Sequence, residues 1–238
     1  MNLNWDWKSS GQALVYQWVD PAVRWGIKIG VTPNHITFAG LFINIIATVI
    51  LIYGAETGHR NDHNTVGLAG IVILLAGLMD MIDGRMARVG NMSSKYGALF
   101  DSVIDRYSEM VMFLGICYYL VAHGYLLSSI FAFIALIGSV MVSYTRARAE
   151  GLGLKMADVG FMQRPERILL IGMSAILCGI MSEILGQEFK ITFPGFSFPL
   201  IENITFFSLP IFILAIMANI TAINRLVNAK KQLYKPFH

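Results

Sequence analysis

Apolar positions along this chain gather into long runs separated by short polar stretches. The runs cover residues 36–53, 67–80, 96–122, 126–144, 168–185 and 205–227. Alone, or with the polar residues that continue them, these runs approach the roughly 20 residues that a helix needs to cross the hydrocarbon layer. The pattern predicts six transmembrane helices. Thr32-Pro33-Asn34 opens the first, a polar loop over 56–65 precedes the second, and His123-Gly124 makes a tight turn before the fourth. A long polar loop is expected over 145–166. A Phe-rich loop is expected over 186–203, with Pro194, Gly195 and Pro199, resting on the membrane interface. Upstream, Trp5, Trp7, Leu14, Val15, Trp18, Val23, Trp25 and Ile27 alternate with Lys8, Arg24 and Lys28. That mixture is too polar to span. It predicts an amphipathic helix lying in the interface with its tryptophans at headgroup level. A soluble amphipathic helix has the same pattern, and the neighbouring membrane domain favours the interfacial reading. The chain therefore divides into an interfacial segment, 1–31, a six-helix membrane domain, 32–228, and a basic tail, 229–238.

Composition agrees. Of the 238 residues 55% are apolar and 14% charged, against roughly 25% charged in soluble domains. The fold class expected is an all-α integral membrane protein. A net charge of +3 gives no reason to expect nucleic acid as a partner. Cys117 and Cys178 lie in apolar runs and read as small core residues. No cleavable signal peptide is expected, because the first residues are polar and aromatic. Lys8, Arg24, Lys28, Arg85, Arg88, Lys95 and the basic residues from Arg146 to Arg167 fall on one side, with Arg225, Lys230, Lys231 and Lys235. Arg60 and Lys190 fall on the other. This bias predicts a multi-pass protein of the cytoplasmic (inner) membrane with both termini on the cytoplasmic side.

One polar stretch stands out, Asp80 to Asp105, DMIDGRMARVGNMSSKYGALFDSVID. Asp80 and Asp83 are three apart, and Asp101 and Asp105 four apart. On helices each spacing puts its pair on one face, so two helices can present four carboxylates to one point. Carboxylates at a helix centre cost roughly 2.5 to 3.5 kcal/mol each, so four cost on the order of 10 kcal/mol unless something offsets them. Divalent cations do so, and an all-oxygen ligand set selects hard ones such as Mg2+ or Mn2+. A cation transporter also accounts for intramembrane carboxylates. It does not account for the residues between them, and Arg88 and Arg106 would repel a passing cation.

Read with its spacing, the stretch is Asp80-x2-Asp83-Gly84-x2-Ala87-Arg88-x8-Gly97-x3-Asp101-x3-Asp105. It resembles the signature of the CDP-alcohol phosphotransferase family at every signature position. The resemblance implies a six-helix membrane enzyme, usually a homodimer, that transfers a substituted phosphate from a CDP-linked donor to an alcohol and releases CMP. It implies two divalent ions on Asp80, Asp83, Asp101 and Asp105, with Asp105 as the catalytic base. It places the nucleotide on Asp80, Gly84, Ala87, Arg88 and Gly97. Arginine suits the diphosphate because its planar fork bonds phosphate oxygens in pairs. An isolated glycine more often serves helix packing.

A second stretch, Ser143-Tyr144-Thr145-Arg146-Ala147-Arg148-Ala149-Glu150 with Gln163-Arg164-Pro165-Glu166-Arg167, is rich in arginine. Positive-inside decoration accounts for the charge but not for Glu150 and Glu166. The stretch is similar to segments of prokaryotic phosphatidylinositol phosphate synthases. That similarity implies an acceptor phosphate held by Arg146, Arg164, Arg167 and Arg225. Arg146 replaces a common Lys, Gln163 replaces a Glu, and the 186–203 loop is longer than expected. The activity expected is transfer of a phosphatidyl group from CDP-diacylglycerol to a phosphorylated polyol, inositol phosphate first and glycerol 3-phosphate as the alternative. The active site is expected to face the cytoplasm.

Overall fold

The structure is a computed structural model that describes residues 7–156, 160, 162–192, 199 and 201–234, with side chains from residue 16 onward. The described residues form seven helices: α1 (Trp7–Lys28), α2 (Pro33–Thr57), α3 (Asn64–Val89), α4 (Lys95–Ala122), α5 (Leu126–Glu150), α6 (Arg164–Leu185) and α7 (Thr205–Leu233). Five of them, α2, α3, α5, α6 and α7, are long and apolar enough to cross a membrane, with mean hydropathies of 2.2 to 2.3. The chain is a multi-pass, all-helical membrane protein. α4 falls short on composition because it carries Asp101, Asp105, Arg106 and Glu109.

Packing follows from small residues. The neighbouring pairs α2/α3, α3/α6, α6/α7, α7/α5, α5/α4 and α4/α2 close a ring. Gly67 and Gly70 of α3 lie against α6, where a Cβ on Gly70 would come 2.7 Å from the Gly172 carbonyl. Helices in lipid gain little from the hydrophobic effect between them, so close backbone approach of this kind supplies the contact. Ala47, Leu51, Val66, Ala69, Phe113, Ile116, Tyr119 and Leu214 fill the ring. Phe38, Phe42, Val49, Leu114, Phe133 and Ile223 are exposed on its outer faces. α2 and α4 are stitched by Asn44 Nδ2 to Ser108 Oγ at 2.9 Å and Thr48 Oγ1 to the Val111 carbonyl at 2.7 Å.

Three boundaries differ from the sequence reading. α5 continues to Glu150, so Arg146 and Glu150 become an i,i+4 helical pair and the loop that follows is shorter than expected. The good helix formers Arg146-Ala147-Arg148-Ala149-Glu150 favour that extension. α7 continues through Lys230 and Lys231 to Leu233 and takes in half of the expected tail; Lys235 lies outside the described residues. The 186–203 loop contains a two-residue antiparallel pair, β1 (Lys190–Ile191) with β2 (Ile201–Glu202). Its Phe-rich centre, with Pro194 and Gly195, lies outside the described residues, as does Trp5. α1 packs on α3 through buried Val23 and through Gly26, which receives Met86, while Trp18 and Trp25 point outward.

Candidate active site

Two helix ends build the centre. α3 carries Asp80 and Asp83 in its last three turns and stops at Gly90, and Asn91 follows with φ 51. Asn tolerates that left-handed conformation because its short side chain bonds locally. Ser94 then caps α4, its hydroxyl accepting from the Gly97 amide at 2.9 Å. The reversal brings Asp101 and Asp105, in the first turns of α4, back beside Asp80. One oxygen from each of Asp80, Asp101 and Asp105 lies within 4.8 Å of the others.

This donor set fits a hard divalent cation. All the ligand atoms are carboxylate oxygens. Asp101 Oδ1 is buried and makes no hydrogen bond among the described residues, so it has room for a further donor or cation. Asp83 stands outside the trio. It is buried, and its Oδ2 accepts from Thr37 Oγ1 of α2 at 2.7 Å. The four expected ligands are thus split three and one. Thr37, one turn after the Thr32-Pro33-Asn34 break, had no sequence signal beyond that position.

Two cavities meet at the aspartates. The larger, about 450 Å3, is lined by Asp101 and Asp105 together with Arg146, Arg164, Arg167 and Arg225. The smaller, about 140 Å3, is lined by Pro33, Asn34, Thr37, Asp83, Gly84, Ala87, Gly97 and Asp101. The structure therefore brings the four expected acceptor arginines together, and gathers Gly84, Ala87 and Gly97 at a separate hollow. Asp101 belongs to both. Gly97 is confined by its own cap, since a Cβ there would lie 3.0 Å from Ser94 Oγ. Arg88 is not in the wall of the smaller hollow. It is exposed at the rim, and its Nη2 donates to Tyr16 Oη of α1 at 2.8 Å.

The arginines of the larger cavity differ in their attachments. Arg164, the first residue of α6, forms ion pairs with Asp80 and, at 2.7 Å, with Asp105. It is a cation already inside the carboxylate cluster. Arg167, one turn on, is fully buried and donates through Nε and Nη2 to both oxygens of Glu109 at 2.8 and 3.0 Å, and through Nη1 to the Met162 carbonyl. Its fork is committed to α4 and to the loop before α6. Arg146 Nε pairs with Glu150 at 2.9 Å at the cavity mouth, and Arg225 Nη1 donates to the Val142 carbonyl at 2.6 Å. Glu109 was missed in the sequence, although it lies one turn beyond Asp105 on the same face of α4.

The hollow, the trio and the arginine wall together suit transfer of an anionic phosphoryl group between two ligands. Known proteins agree with that chemistry. Residues 30–193 match the family model described as CDP-alcohol phosphatidyltransferase. The chain is 31% identical over 206 residues to archaetidylinositol phosphate synthase of Pyrococcus horikoshii, covering 87% of each. Its fold is similar to crystal structures of Mycobacterium tuberculosis phosphatidylinositol phosphate synthase (PgsA1). One, with CDP-DAG bound, has a TM-score of 0.62 at 28% identity, covering 88% of this chain and 92% of that one. Another, in complex with manganese and citrate, has a TM-score of 0.66 at 26% identity, covering 92% of each. With its acidic signature intact on two adjoining helix ends, this chain belongs to the CDP-alcohol phosphatidyltransferase family and is an enzyme of that class.

Proposed function

We propose that the enzyme transfers a phosphatidyl group from CDP-diacylglycerol to inositol phosphate, forming phosphatidylinositol phosphate and CMP in phospholipid biosynthesis. The observation that carries this reading is the larger cavity, which Asp101 and Asp105 of the carboxylate trio line together with Arg146, Arg164, Arg167 and Arg225. An acceptor with its own phosphate matches such a wall, and serine or choline does not. The smaller hollow, with Gly84, Ala87 and Gly97, takes the cytidine and diphosphate, with Asp80 beside them and Arg88 reaching in from the rim. Glycine at these points lets the nucleotide approach the backbone.

Asp80, Asp83, Asp101 and Asp105 hold two divalent ions, Mg2+ or Mn2+, with Asp83 entering from its bond to Thr37. Bound there, the ions neutralise charge on the attacked and departing phosphate oxygens. Asp105 accepts the proton of the attacking acceptor hydroxyl, whose oxygen bonds to the β-phosphorus as the bond to CMP breaks. Arg146, Arg164 and Arg225 orient the acceptor phosphate, and Arg167 braces the wall from behind.

In this reading 32–228 is the catalytic membrane domain. α4 is a sixth span, supported by its packing between α2 and α5. α1 (within 1–31) lies in the interface, supported by outward Trp18 and Trp25, and 229–238 is a basic cytoplasmic tail. The site and both termini face the cytoplasm of the inner membrane, and the enzyme works as a homodimer. The test is CMP release by the purified protein with CDP-diacylglycerol and Mg2+, offered inositol phosphate, glycerol 3-phosphate, inositol and serine in parallel. Release with inositol phosphate alone is expected. Release with glycerol 3-phosphate alone overturns the acceptor assignment and leaves the reaction type intact.

A further inference from the structure

α1 does more at the site than lie beside it. Its Asp20 meets Arg85 of α3 through two hydrogen bonds, Nε to Oδ1 and Nη2 to Oδ2, both 2.7 Å. One turn back, the Tyr16 ring lies under both arginines of α3, 4.8 Å from Arg85 and 5.7 Å from Arg88, measured from guanidinium carbon to ring centre. Its hydroxyl accepts from Arg88 Nη2. That same Nη2 is the heavy atom a Cβ on Gly84 would meet first, at 3.8 Å. The Arg88 guanidinium therefore hangs over the bare face of Gly84, which lines the smaller hollow. Arg88 is exposed and carries five donors, of which Tyr16 engages one. Left to itself, a long exposed side chain samples many rotamers, and ordering it opposes binding.

We propose that Tyr16 and Asp20 are positioning residues for the donor site. Asp20 and Arg85 fix α1 in register along α3, and Tyr16 holds the Arg88 guanidinium over Gly84 so that its remaining donors meet the diphosphate of the incoming nucleotide. Val23 and the Gly26–Met86 contact seat the rest of α1 on α3. Arg85 falls in a variable position of the acidic signature, so this brace is built from residues the signature does not contain. The Arg85 guanidinium beside Asp20 holds that carboxyl below the usual range, so the pair stays ionised at neutral pH. The inference rests on the reading that Arg88 contacts the diphosphate.

The experiment is calorimetric binding of soluble CDP with Mg2+ to the full-length protein in nanodiscs, alongside KM and kcat for CDP-diacylglycerol and for the acceptor. Arg88→Ala tests the underlying reading and should weaken CDP about tenfold, the loss of a charged hydrogen-bond fork. Tyr16→Phe and Asp20→Asn should each weaken CDP and raise the donor KM about two- to fivefold, the scale of a partly exposed charged contact. The acceptor KM should not move. Asp20→Glu, and the swap Asp20→Arg with Arg85→Asp, should restore most of the affinity. CDP affinity lost in Arg88→Ala but unchanged in Tyr16→Phe and Asp20→Asn overturns the positioning role alone. Affinity unchanged in Arg88→Ala overturns the reading beneath it. A raised KM for the lipid donor with unchanged CDP affinity reduces α1 to a membrane anchor and also overturns the proposal.

Discussion

At the scale of single residues, chemistry and attachment separate the polar side chains of the centre. Asp105 sits in the trio and lines the larger cavity. Asp105→Asn should lower turnover at least a hundredfold, the usual range for a general base, while CDP-lipid binding holds in a calorimetric titration. An equal loss of affinity and rate would count against the base role. Arg146 and Arg225 should behave differently, since they face the cavity away from the hollow. Arg146→Ala and Arg225→Ala should each raise the acceptor KM about tenfold with little change for the donor. Steady-state kinetics with each substrate varied in turn checks this, and an unchanged acceptor KM in both would remove the phosphate pocket. The aspartates were legible in the sequence because helical spacing alone puts 80 with 83 and 101 with 105 on common faces. That Asp83 would turn to Thr37, leaving the other three together, was not legible, because residues 37 and 83 meet only through packing of α2 on α3.

At the scale of elements, the buried pair Glu109–Arg167 ties α4 to α6 across the floor of the cavity, with side chains 3% and 1% exposed. Removing one partner strands a charge out of water. Glu109→Gln and Arg167→Ala should therefore each destabilise the fold by about 3 kcal/mol or more. Thermal unfolding in nanodiscs would show it. Arg167→Ala should otherwise leave the acceptor KM of the folded fraction close to normal, in contrast with Arg146→Ala. Similarity of the arginine-rich segments to those of phosphatidylinositol phosphate synthases placed Arg167 with the phosphate arginines. Its orientation toward Glu109, 58 residues away, follows from the ring order of the helices. The extension of α5 through Glu150 shows the reverse case. Hydropathy ends the span near Tyr144, but helix propensity carries the helix past the apolar edge, and that extension sets Arg146 on the cavity mouth.

At the scale of the whole molecule, the end of the bundle opposite the aspartates has its own buried polar group. His63 precedes α3, its Nδ1 3.0 Å from the Tyr119 hydroxyl, which also donates to the Asp62 carbonyl at 3.1 Å. Burial, with neighbouring His123 adding to it, lowers the His63 pKa from 6.5 to about 4. The unfolded chain takes up a proton near pH 6.5 that the folded chain refuses until pH about 4. The contribution of His63 is therefore complete above pH 6.5 and declines by about 1.4 kcal/mol per pH unit below it. Thermal stability in nanodiscs should fall between pH 7 and pH 5, with a shallower slope in His63→Gln. Equal slopes would mean that other groups set the acid limit. The expected homodimer belongs to this scale too. Mass measurement in nanodiscs should give two copies, and a monomer there and in mild detergent would contradict it.

The sequence by itself determined the class of the molecule and its reaction. Hydropathy fixes which segments avoid water, and the acidic signature, with its spacings set by the helical repeat, names the chemistry. Both are local properties, readable within one helix or one turn. The tertiary structure decided which distant side chains share a space. It drew Arg164 into the carboxylate trio, turned Arg167 to Glu109 and Asp83 to Thr37, and laid Tyr16 beneath Arg88. Each of these pairings joins helices whose order around the ring depends on close backbone contacts at small residues. The strength of such contacts lies in the fit of two surfaces, and neither surface is written in the spacing of its own residues.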